Sequence, residues 1–475
     1  MTEDIMTQEV FAKRIFDLPP ALHGVFAELA DFCTDALASD DMEADFVALE
    51  NDTVAAVRKT GLGILRTCIE QRDDGARSIR REGRSWYRLA RSRGSLTCLL
   101  GHLGYDRPRY RNDGVRNSLC PVDESLGLLS GSMTRPAGKL AMRLVAELPC
   151  RTSSILLREA GGMDPSVSTL QRVLGEAHWA WQDVEEEAFA ELRSGERVPD
   201  EATSVALSLD GAMVLLRSGE DPASGGDDRR CGSSNWREAS CGTLSFHDET
   251  GGTLRTISSG RMPEKGKMAL KHWLVREFEE VMRDRPDLTC VGVADGAPDN
   301  WTFLSRQALD VEVLDFYHAA THLRTASEHA ASPERWYEHW RHVLRHDMCG
   351  ANRVIAAIRG LRDRARDDCS RSELTVVLGY FRTHRHRMNY AELSGRGIPI
   401  GSGIVEAANK THIGERLKKS GMRWGIAGGQ AVLTFRSLLR SDRFDGAWNK
   451  IMVAIDNRKP DNDNWKPFYE KKKTA

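Results

Sequence analysis

Two strand-length apolar runs in this chain each close on an aspartate followed by glycine. Residues 204–209, Ser-Val-Ala-Leu-Ser-Leu, lead into Asp210-Gly211, and residues 289–294, Thr-Cys-Val-Gly-Val-Ala, lead into Asp295-Gly296. A third carboxylate, Glu406, follows the glycine-broken approach Gly397-Ile-Pro-Ile-Gly-Ser-Gly403 and falls in the first turn of an expected helix. Two aspartates at strand ends, then a glutamate on a helix, is the ordering of a metal-dependent nuclease triad. Each acid also has an ordinary reading. Asp-Gly is favoured in hairpin turns, Asp295 could open the turn before a helix at Pro298, and Glu406 could complement a helix dipole.

The pattern around the acids narrows the fold. Strand-like periodicity over 204–209, 236–246 and 253–257 predicts an antiparallel meander. A helix follows over 264–283, with Leu270, Leu274, Phe278 and Val281 on one stripe and Pro286 ending it. The run 289–294 is almost wholly apolar and is therefore expected to be a central strand. A crossover helix over 298–306 and a strand over 311–314 complete the order of a ribonuclease H-like α/β core. Between Asp295 and Glu406 the chain is longer than two connecting elements need. Residues 332–395 are helical in pattern, which predicts an all-α insertion, with 199–331 and 396–458 as the two parts of the core.

Upstream the sequence suggests a mostly α DNA-binding region. Residues 1–94 are assigned to an N-terminal helical region whose later part gathers Arg72, Arg77, Arg80, Arg81, Arg84, Arg88, Arg91 and Arg93 around Trp86 and Tyr87. Cations among aromatics suit a phosphate backbone and exposed bases; a solvated helix face paired with Glu70, Asp73, Asp74 and Glu82 is the plain alternative. Residues 95–128 read as a small β element in which Arg107, Arg109 and Arg111 alternate and would share one strand face. Residues 129–198 read as a helix-turn-helix-like region. Its last helix has capping-box spacing in Ser168-Thr-Leu-Gln171, so Thr169, Gln171 and Arg172 would face the major groove. A plain helical bundle fits the same pattern.

Composition bounds the rest. The 475 residues are 40% hydrophobic with a net charge of -2, enough for several cores and silent on nucleic acid, since the placement of cations decides that. No apolar run approaches the roughly 20 residues of a membrane helix, and a cytoplasmic, nucleoid-associated address is expected. The 10 cysteines show no paired spacing, so neither a disulfide framework nor a structural zinc is expected. His339, His342, His346 and Cys349 share a helix face but would spread over roughly 15 Å at the α-helical rise, too far for one ion.

The motifs Leu209-Asp-Gly211, Ala294-Asp-Gly296 with Trp301, Asp315-Phe-Tyr-His318, Gly401-Ser-Gly-Ile-Val-Glu406 and Arg416-Leu-Lys-Lys-Ser-Gly-Met-Arg-Trp424 resemble those of bacterial insertion-sequence transposases of the DDE class. The likeness is to the ISKra type, related to the Mutator-like group, and runs from about residue 95 to 448. It implies a ribonuclease H-like fold, a triad of Asp210, Asp295 and Glu406, and two Mg²⁺ (or Mn²⁺) ions held by it. It also implies that the Asp315/His318 pair orients the DNA end or supports the triad, although an ordinary salt bridge fits the spacing as well. Relatives often carry a cysteine-rich zinc ribbon, whereas only Cys120 follows Arg111 here. The implied partners are double-stranded DNA with terminal inverted repeats, target DNA, and a second copy of the chain or more. Arg416, Lys418 and Arg423 are then expected on DNA phosphates, although cations in a last turn with Gly421 after them also suit an ordinary helix end. A ribonuclease H-like nuclease without strand transfer, and an inactive DNA-binding regulator, are the alternative functions.

Overall fold

The computed structural model describes residues 18–38, 46–81, 83–114, 118–218 and 235–458. Glu82 and the tail 459–475, expected to be flexible, lie outside the described residues. The chain divides into two compact units, 1–177 with 456–475, and 178–455.

The first unit opens with helices α1 (Pro20–Ala38) and α2 (Phe46–Glu70). The arginine-rich stretch after them is not helical as expected for 1–94. It forms strands β1 (Ser78–Arg81), β2 (Arg84–Arg88) and β3 (Ser92–Cys98). The turn at Asp73–Gly75, where Asp73 accepts from the Gly75 amide, ends helical periodicity, and Asp73 also takes Arg88 at 2.5 Å and Arg91 at 3.5 Å. Strand β3 pairs with β4 (Gly101–Arg107) as a hairpin, and β2 pairs with β5 (Tyr110–Arg111). A small core of Ile69, Leu96, Cys98, Leu103, Tyr105 and Val122 lies under the hairpin, the last residue from α3 (Pro121–Leu126). Helices α4 (Arg135–Glu147) and α5 (Cys150–Gly161) follow, the latter closed by Gly162 in the left-handed region.

Helix α6 (Val167–Ser194) then runs unbroken for 28 residues. Its cap is Ser166, whose hydroxyl takes the Thr169 amide at 3.1 Å, rather than Ser168.

In the second unit a five-stranded sheet is ordered β10-β9-β6-β7-β8. Strands β6 (Ser204–Leu215), β7 (Trp236–His247) and β8 (Thr253–Arg261) are antiparallel, while β9 (Thr289–Ala294) and β10 (Val311–Leu314) add in parallel. This mixed α/β arrangement is compatible with the ribonuclease H-like core expected from the sequence. Helix α7 (Met268–Asp284) lays Leu270, Leu274 and Phe278 on the main core, and α8 (Pro298–Leu304) supplies the β9–β10 crossover. Both faces of β6 are buried along its first half, which explains its lack of alternation.

Helix α9 (Phe316–Ser327) is followed by the helical segment α10 (Pro333–His346), α11 (Gly350–Arg364), α12 (Asp368–Thr383) and α13 (Tyr390–Gly395). Cys349 lies beyond the end of α10, so it does not share that helix face with the three histidines. His339 instead packs edge-on against Trp340, and His342 lies tilted against His346. The chain returns through α14 (Gly403–Asn409), a π turn at Lys410–Gly414 and α15 (Glu415–Leu417), and ends in α16 (Ile426–Arg440) and α17 (Phe444–Asn457). Glu277 on α7 is fully buried between Arg193 of α6 at 2.8 Å and Arg443 at 2.7 Å, which ties these elements together.

Candidate active site

Strand register brings the two aspartates to one edge. Strand β9 pairs with β6 as far as Ser208 opposite Val293, and Asp210 and Asp295 each stand two residues further on. Side chains recur on one sheet face every second residue, so both carboxylates emerge on the same face where β9 ends and β6 continues. Asp210 is not in a hairpin turn. It lies within β6, opposite Cys241 of β7, and the strand continues to Leu215.

Asp210 is half-buried, and its Oδ1 accepts from the Gly211 amide at 2.7 Å while its Oδ2 accepts from Asn409 Nδ2 at 2.6 Å. Burial pushes its carboxyl above the usual range, and the charges of Asp295 and Glu406 push the same way against the pull of those two hydrogen bonds. Asp295 is held in turn. Its Oδ1 takes the Ala297 amide at 3.0 Å and Asn300 Nδ2 at 3.1 Å, and its backbone carbonyl takes the Trp301 indole at 2.5 Å.

Glu406 is exposed in the first turn of α14. The approach to it is fixed at Gly397, whose φ of 69° lies in the left-handed region and where a Cβ would stand 2.1 Å from the Glu249 carbonyl oxygen. Ser402 then donates its hydroxyl to Glu406 Oε1 at 2.7 Å. Each triad acid therefore has its own neutral donor: Asn409, Asn300 and Ser402. The sequence reading missed Asn300 and Asn409. Asn300 sits within an Asp-x-x-x-x-Asn spacing that carries no general signal, and Asn409 one turn after Glu406 could have been found as the same face of the helix.

Asp315 and His318 form the expected pair and do more than pair. Asp315 caps α9, accepting the His318 amide at 2.6 Å, and it also accepts the Ser402 amide. His318 Nδ1 lies 3.3 Å from Asp315 and 3.8 Å from Glu406. The Asp315 hydrogen bond raises the His318 pKa, with Asp315, Asp295 and Glu406 charges adding to it. Among the described residues, Asp315, His318 and Glu406 have ligand atoms close enough for one ion. Asp315 is fully buried with both oxygens turned onto backbone amides, however, so we read it as a clamp on Ser402 rather than a ligand.

The expected DNA contacts divide. Lys418 and Arg423 are exposed, whereas Arg416 is 2% exposed beneath the Trp424 ring at 5.1 Å and cannot reach a surface phosphate. Arg107, Arg109 and Arg111 do not share one strand. Arg107 ends β4 and pairs with Asp123, Pro108 interrupts, and Arg109 donates to Ser118 at 2.9 Å. Gln171 is exposed on the first turns of α6, while Thr169 and Arg172 are half-buried and bonded to each other at 3.2 Å.

Asp210, Asp295 and Glu406 are three carboxylates from separate elements, each reaching solvent, and Asp210 is raised first by burial and then by the charges of the other two. No helix among the described residues is long and apolar enough to cross a membrane. No protein-family model and no curated protein matches the sequence. A solved structure found similar is the Drosophila P element transposase strand transfer complex, at 11% identity and a TM-score of 0.24, over 67% of this chain and 80% of that one. A likeness of that size bears on neither fold nor function.

Proposed function

We propose that this chain is a DDE-type DNA transposase that binds the inverted repeats at the ends of its element, cleaves there, and joins the freed 3′-hydroxyls to target DNA. The observation that supports it best is the in-register emergence of Asp210 and Asp295 at one sheet edge, with Glu406 near enough in charge to raise Asp210. The motif resemblance supports strand transfer over simple hydrolysis.

On this reading Asp210, Asp295 and Glu406 would hold two Mg²⁺ ions, and the chemistry those ions would supply is Lewis-acid stabilisation and activation of a water or a 3′-hydroxyl. Asn409, Asn300 and Ser402 orient the three carboxylates, and His318 offsets the charge gathered at Glu406. No protein nucleophile is needed. Lys418 and Arg423 position phosphates, and Gln171 with the start of α6 reads or positions the end sequence. Handling two ends together calls for a homodimer or larger assembly.

The test uses a duplex bearing the repeat that flanks the gene, incubated with the full chain and MgCl₂. Asp210→Asn, Asp295→Asn and Glu406→Gln are each expected to abolish cleavage while leaving end binding within a few fold. Cleavage without joined products would make the chain a nuclease, and binding without any metal-dependent cleavage would make it a regulator.

A further inference from the structure

The hydroxyl of Tyr380, in the last turn of α12, is buried and has no hydrogen-bond partner among the described residues. Buried polar groups are nearly always paired, and an unpaired one calls for an explanation. The ring is seated against the backbone just past Asp295: a Cβ at Gly296 would lie 2.4 Å from Tyr380 Cε2 and 3.1 Å from its hydroxyl oxygen. Only glycine there admits the ring. On α9, one turn beyond His318, His322 stacks on the ring with centroids 3.8 Å apart and planes 27° apart, and His384 stands at 5.0 Å. A phenol keeps its proton at neutral pH, so this hydroxyl is able to donate to an anion arriving at the site.

We infer that Tyr380 touches the substrate: its hydroxyl donates a hydrogen bond to a non-bridging oxygen of the phosphodiester brought against Asp295. The inference rests on the function proposed above. Asp295 Oδ1 is already taken by Asn300 and the Ala297 amide, so the hydroxyl is not needed to hold that carboxylate. A fixed neutral donor stabilises charge that grows on the phosphate without reorganising and without competing with the carboxylates for cations. The same packing places a residue of the helical segment at the chemistry, giving that segment a role beyond spacing.

The experiment compares wild type and Tyr380→Phe on the flanking-repeat duplex with Mg²⁺. The variant is expected to cleave slower on the order of 100-fold, with end binding within a few fold. Its melting temperature should be unchanged or higher, since only an unpaired hydroxyl is removed. A phosphorothioate of one configuration at the scissile position should slow wild type more than the variant, so that the two losses do not add. If Tyr380→Phe keeps pace with wild type, or loses rate and melting temperature together with additive phosphorothioate effects, the inference is overturned while the function stands. If wild type itself fails to cleave, or the triad variants still cleave, the function fails and this contact falls with it.

Discussion

Asn409 Nδ2 lies 2.6 Å from Asp210 Oδ2, although 199 residues separate the two in the chain. Asn409 is buried at the last position of α14, one turn from Glu406, so the same short helix presents one acid of the proposed triad and holds another. The π turn that begins at Lys410 follows at once; such single-turn insertions re-aim side chains and recur at functional sites. Asn409→Ala removes the donor and leaves the backbone intact. Supporting residues of this kind typically change metal affinity or activity by about 10–100-fold. We expect a loss in that range, partly recovered by raising Mg²⁺, in a cleavage assay titrated with metal; full activity at low Mg²⁺ would show that Asp210 needs no such support.

The raised carboxyl of Asp210 links function to stability. A carboxyl whose folded pKa lies above its unfolded one contributes stability at low pH that is lost as pH rises through the folded value. At neutral pH without metal, the ionised form of Asp210 therefore works against the fold. Asp210→Asn should raise the metal-free melting temperature at pH 7, by about 0.5–2 kcal/mol in stability, while abolishing cleavage. Added Mg²⁺ should narrow the gap by stabilising wild type alone. Calorimetry with and without Mg²⁺ decides; a variant less stable than wild type in EDTA would contradict the electrostatic account.

The sheet was legible in the sequence because its strands are apolar and bounded by turns; β7, β9 and β10 lie within a residue of their expected ranges. The aspartates were legible for the same reason, since a polar residue that closes an apolar run is conspicuous, although β6 itself continues past Asp210 to Leu215. Two features defeat such reading. Between Arg77 and Arg93 the arginines outnumber the apolar residues, so no period shows, and strand formation depends on long-range pairing with β4 and β5. Arg416 looks like its exposed neighbours Lys418 and Lys419, and only tertiary packing under Trp424 separates it from them.

His318 gives a second pH signature of the same sign, here from a cation that favours the fold. Its pKa is raised above the ordinary 6.5, chiefly by the Asp315 hydrogen bond, so the stability it contributes is fully present below that ordinary value and is lost as pH rises through the folded one. His318→Gln should therefore lower the melting temperature most in mildly acidic buffer, and the difference from wild type should shrink at alkaline pH. Cleavage by the variant should fall roughly tenfold, the low end for a residue that acts through another. A melting difference that grows with pH would mean that His318 is held neutral instead.

The basic segment after α14 separates a proposed DNA contact from a structural cation. Lys418 and Arg423 are exposed, and if each neutralises one phosphate, removing it releases one fewer counterion on binding. Lys418→Ala and Arg423→Ala should each flatten the slope of log affinity against log salt by about 1 and leave the melting temperature alone. Arg416 is buried over the Trp424 ring, where its stem packs and its charge is sheltered. Arg416→Ala should leave the salt slope unchanged for whatever fraction stays folded and cost about 2–5 kcal/mol, the range for truncating a large buried side chain. End-binding titrations across a salt series, run beside thermal melts, separate the two classes; a salt slope that flattens in Arg416→Ala at full thermal stability would return this arginine to the DNA surface.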